Sequence, residues 1–132
     1  MKAPVVFLAA ALAQAPVSAA EWLLVSQDGF SKIYIDPASR KIAGDIASVA
    51  ALTDYDPRAP EAASFKLSEK GLSEIESVRL DCGRRQYSSG GGRWFAGQMA
   101  DGAARSDYPA KTAWSKVPSF YDGLYAKVCA KN

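Results

Sequence analysis

Two cysteines, Cys82 and Cys129, stand in a chain whose first residues read as an export leader, and that combination constrains the fold more than any other feature. An even pair of cysteines in an exported protein is ordinarily a disulfide. Closing so long a loop contributes about 4 kcal/mol on the chain-entropy account, a large share of a small domain's stability. A redox or metal-binding pair calls for further ligands or a Cys-x-x-Cys spacing, and the sequence offers neither.

The leader is read from one cation, Lys2, an unbroken apolar run from Val5 to Ala13, a polar break at Gln14 and the small residues Val17-Ser18-Ala19-Ala20. These are the three regions of a secretory signal, with cleavage expected after Ala20. The run falls well short of the roughly 20 apolar residues that span a bilayer, so no membrane anchor is expected. No cysteine lies at the junction to carry a lipid. Residues 1–20 are therefore assigned as a signal peptide and residues 21–132 as one domain, enough chain for a single hydrophobic core.

Basic and acidic residues number 16 and 14, and loss of Lys2 with the leader brings the net charge from +2 to +1. So even a balance predicts no strong pull towards nucleic acid or anionic membranes. The chain has no histidine, which excludes triads with a histidine base and metal sites built on imidazole. No cofactor is called for.

Trp22–Val25 and Lys32–Asp36 read as two strands about a turn at Asp28-Gly29, and Ile46–Tyr55 as a central strand after the turn Ala43-Gly44-Asp45. Asp56–Ala63, with Pro57 and Pro60, reads as a loop. In Ser73–Cys82, alternation puts Val78, Leu80 and Cys82 on one face of a strand and Ile75, Ser77 and Arg79 on the other. Ser88-Ser89-Gly90-Gly91-Gly92 reads as a mobile hairpin tip between two antiparallel strands, its glycines supplying positive φ angles. Ser119 and Asp122 approximate a capping box for a C-terminal helix with stripes Phe120, Leu124, Val128 and Tyr121, Tyr125, Cys129, weakened at Gly123. The fold class expected is α+β: a small antiparallel sheet with a C-terminal helix packed on it and one disulfide.

Arg84, Arg85, Tyr87, Arg93 and Trp94 gather cations and aromatics about the expected hairpin, the residue types that dominate interface hot spots. They form the candidate binding surface, against the plainer reading that the rings are core and the arginines merely solubilise a hairpin. Glu74 and Glu76 share one strand face, and paired carboxylates could serve a glycosidase. Exposed acids that protect a sheet edge are the commoner case, and that is the reading adopted. Asp36 and Asp54 are read as turn caps. The glycine run lacks the Gly-Lys-Ser/Thr ending of a phosphate loop.

In order, Trp22, Tyr34-Ile35-Asp36-Pro37, Leu52-Thr53-Asp54-Tyr55, Asp81-Cys82, Met99-Ala100-Asp101-Gly102, Trp114, Val117-Pro118 and Cys129 resemble the bacterial surface-adhesin protein E family. The resemblance implies a compact α+β domain with bridged cysteines and a non-enzymatic protein of the periplasm or cell surface. It further implies a protein partner, either a host matrix protein or a bacterial envelope protein. An accessory protein that binds another envelope protein or a small ligand is the alternative.

Overall fold

The computed structural model describes residues 21–131, so the expected leader at residues 1–20 lies outside the described residues. The described residues form a seven-stranded antiparallel sheet. The strands are β1 (Leu23–Gln27), β2 (Ser31–Ala43), β3 (Ile46–Tyr55), β4 (Ser73–Asp81), β5 (Gln86–Phe95), β6 (Ala104–Tyr108) and β7 (Ser115–Lys116). Each of β1 to β5 pairs with the next, a meander in which sequence neighbours are spatial neighbours, and β7 pairs with the start of β5. Two four-residue helices, α1 (Glu61–Ser64) and α2 (Leu67–Lys70), interrupt the loop between β3 and β4. The C-terminal helix α3 (Asp122–Val128) closes the fold.

The expected α+β architecture is therefore present, with Cys82 bonded to Cys129 and their Cα atoms 5.6 Å apart. One sheet face supplies the main core. Ile33 and Ile35 from β2, Ala47, Val49 and Ala51 from β3, and Val78 and Leu80 from β4 meet Tyr121, Leu124 and Val128 from the C-terminal segment. Alternation dictates this set, because the opposite-facing residues of the same strands cannot reach the helix. Arg40 ties the helix down from β2, its Nε donating to the Val128 carbonyl at 2.8 Å. A second cluster, Tyr55, Leu67 and Trp94, lies beneath α1 and α2.

Three expectations are corrected. The glycine run is no hairpin tip: Ser88 to Gly92 lie inside the single strand β5, and the turn from β4 to β5 is Cys82–Arg85. Two residues, Gly90 and Gly91, stand where the partner strand has only Ser77 between Glu76 and Val78, a β-bulge. Of the three glycines only Gly91 takes a positive φ, +95°. Gly92 is needed for space, since a Cβ there would collide with the Tyr108 ring.

The capping box is not formed. Ser119–Tyr121 make a 3-10 turn ahead of α3, neither start carries a side-chain cap, and Phe120 is 57% exposed. The stripe that enters the core is instead Tyr121, Leu124, Tyr125 and Val128. Gly123 is the helix's point of closest approach, because a Cβ there would come within 2.5 Å of the Val25 carbonyl oxygen on β1. Asp54 caps no turn of its own; its Oδ1 accepts the Met99 N–H at 2.7 Å and pins a distant 3-10 turn to the back of the sheet.

Candidate functional site

On β4, Glu74 and Glu76 occupy the same face as Val78 and Leu80, which alternation makes the core face. The expectation that they are exposed acids guarding an edge is overturned. β4 is a central strand between β3 and β5, and Glu76 is 6% exposed. A buried carboxylate survives only when its oxygens are hydrogen-bonded.

Here the donors are four tyrosines from four separate elements. Tyr55, the last residue of β3, donates to Glu74 Oε1 at 3.0 Å, and Tyr108, the last of β6, donates to Glu74 Oε2 at 2.6 Å. Tyr121, in the turn before α3, donates to Glu76 Oε1 at 2.6 Å, and Tyr87 on β5 donates to Glu76 Oε2. Each of the four carboxylate oxygens thus accepts one phenol. Burial holds the Glu74 carboxyl above the usual range, against the pull of the two phenols that bond it. The four phenols are all pushed up, first by burial and then by the neighbouring carboxylates, so they stay protonated and keep donating.

A cavity of about 380 Å³ opens over this carboxylate pair. On one side Phe30, Tyr55 and Phe65 form a mutually packed group, with ring centroids 5.1 to 5.4 Å apart. On the other, Tyr121 packs edge-on to Tyr87 at 5.6 Å and lies 4.8 Å from Phe120. Aromatic pairs at such spacing are attractive beyond their buried area and hold the walls in place. Tyr108 reaches Glu74 by lying across β5 at Gly92, the residue paired with it.

The residues proposed from sequence are distributed rather than gathered. Arg84 and Arg85 are exposed in the β4–β5 turn, where the Arg85 guanidinium lies 4.5 Å from the Tyr125 ring centroid. Arg93 is exposed near the other end of β5, roughly 20–25 Å away at the rise of an extended strand. It makes a two-pronged pair with Asp107 at 2.6 and 3.1 Å. Trp94 is 8% exposed and stacks on Tyr55 with centroids 5.6 Å apart. Tyr87 faces the cavity. Sequence reasoning passed over Glu74, Glu76, Tyr55, Tyr108 and Tyr121 as a set, although the parity of Glu74 and Glu76 with Val78 and Leu80 was there to be read.

A family model described as surface-adhesin protein E matches residues 22–130. The chain belongs to the surface-adhesin protein E family. Among solved structures, crystal form II of Haemophilus influenzae protein E superposes with a TM-score of 0.59 at 14% identity, covering 87% of this chain and 93% of that one. Protein E from non-typeable Haemophilus influenzae gives 0.51 at 13%, covering 87% of this chain and 78% of that one. At such identities the likeness is one of fold. No curated protein matches the chain. No helix among the described residues is long and apolar enough to cross a membrane.

Proposed function

We propose that this member of the surface-adhesin family is an exported protein that works by binding and not by catalysis. The proposal takes residues 1–20 as the leader, removed on export, and residues 21–132 as the binding domain. The observation that carries it is the state of two carboxylates, the half-buried Glu74 and the buried Glu76. A glycosidase needs one carboxyl free to give a proton and another free to attack or to activate water. In this chain every oxygen of the pair is already engaged by a phenol that stays protonated. Family membership supports a protein partner at the cell surface, a host matrix protein. The exposed Arg84–Arg85 turn, rigidified by the adjoining disulfide, supplies residue types suited to such a contact.

The test is a pull-down with the purified exported protein, disulfide intact, against matrix proteins and envelope extract, compared with an Arg84→Ala/Arg85→Ala variant. Capture of a defined matrix protein that the variant loses is the expected result. Capture of an envelope protein alone would replace adhesion with an accessory role in the envelope, and capture of neither would overturn the proposal.

A further inference from the structure

The cavity above Glu74 and Glu76 is acidic as well as aromatic. Asp28, Glu74 and Glu76 all line it, and no lysine or arginine does. The salt bridges among the described residues are Arg58–Asp56 and Arg93–Asp107, so the carboxylates at the cavity floor form no ion pair; Lys70 acts on Glu74 only from a distance, its ammonium lying 4.0 Å from the Phe65 ring centroid. In a protein whose net charge without Lys2 is +1, this local excess of negative charge is complementary to a cation.

The geometry narrows the kind of cation. No group of three or more acidic or sulfur ligands among the described residues is arranged to hold a metal ion. A primary ammonium is strongly hydrated and must exchange its water for oxygen acceptors on entering a pocket. Here each floor oxygen already accepts a phenol, which leaves charge in place but blocks part of the hydrogen-bonding capacity. The walls include Phe30, Phe65, Phe120 and the tyrosines, and aromatic rings attract weakly hydrated cations through their quadrupole, as the Lys70 ammonium over one face of Phe65 already illustrates. An apolar-skinned cation with no N–H to satisfy suits all three conditions, and about 380 Å³ admits such a head group.

We propose that this cavity binds a quaternary ammonium group, with Glu74 and Glu76 supplying the charge and the aromatic walls the contact surface. The proposal rests on the cavity as a binding site and not on adhesion, so it can fail or succeed independently of the pull-down.

Choline chloride is the probe, titrated calorimetrically into the disulfide-intact protein at constant ionic strength. Its uncharged isostere 3,3-dimethylbutan-1-ol and the primary amine ethanolamine are run alongside. Saturable choline binding is expected, with both comparators at least tenfold weaker. Equal binding of the isostere would reduce the site to an apolar hole and overturn the proposal. So would tighter binding of ethanolamine, or no saturable signal with choline. Glu74→Gln is expected to weaken choline at least tenfold. Phe120→Ala, which removes an already exposed ring and leaves the fold intact by circular dichroism, is expected to weaken it severalfold. Choline affinity unchanged in both variants would also overturn the assignment.

Discussion

The two ends of one sheet face differ in how they are closed. Towards the end of β4, Val78 and Leu80 are fully buried beneath α3, which is held by Leu124, Val128 and the disulfide at its exit. A few residues earlier on the same strand and face, Glu74 and Glu76 are covered by phenols drawn from β3, β5, β6 and the turn before α3. Alternation decides which residues face inward, but not what meets them there. Under a helix the inward positions are aliphatic and the stabilisation is hydrophobic. Where α3 does not reach, the face is polar, aromatic and open to a cavity.

If the helix-covered end is the structural half, damage there should cost most. Replacing both cysteines, Cys82→Ala and Cys129→Ala, is expected to lower the unfolding free energy by about 4 kcal/mol in urea titrations. A loss below about 1 kcal/mol would show that packing alone holds α3 and would blunt the contrast. Next in size, Gly123→Ala is expected to cost about 2 kcal/mol, because its methyl group must push α3 away from the Val25 carbonyl. An unchanged thermal midpoint would mean that the helix shifts freely on β1.

The smallest stability effect belongs to the open end. Glu74→Gln is expected to stay within about 1 kcal/mol of wild type at pH 7, since relief of a half-buried charge offsets the loss of an acceptor for one phenol. Its mark is in the pH dependence. Burial holds the folded-state carboxyl of Glu74 above its ordinary 4.5, so the folded protein takes up the proton more readily than the unfolded chain. The resulting stability is fully present below the unfolded value and is lost as pH rises through the folded one. Wild type should therefore gain on the variant as pH falls from neutral towards 4.5, measured as the difference between their denaturation midpoints. A difference independent of pH would place Glu74 in contact with water.

Much of the fold was legible. A charge-poor run after a turn signal located β3, two-residue alternation located β4, the cysteine pair gave the staple, and the four-residue recurrence of Leu124 and Val128 marked the helix. What escaped has a common cause: the residues concerned answer to partners distant in sequence. Ser88 to Gly92 have the local chemistry of a turn, but Ser88 and Ser89 are buried in a paired strand. Glu74 and Glu76 have the local chemistry of a solvated edge, and only tyrosines at 55, 87, 108 and 121 make their burial tolerable. Ser119 lost its capping role because the chain enters α3 through a 3-10 turn.

Gly92 and Tyr108 carry a consequence for how chains of this kind can diverge. The ring of Tyr108 occupies the volume that any side chain at position 92 would fill, and its hydroxyl is spent on Glu74. The two positions therefore form a single unit of variation together with the acid: a larger residue at 92 is admissible only once the ring has gone, and loss of the ring strands a carboxylate oxygen. Substitutions at these three sites should arise jointly, or in an order that begins with the acid.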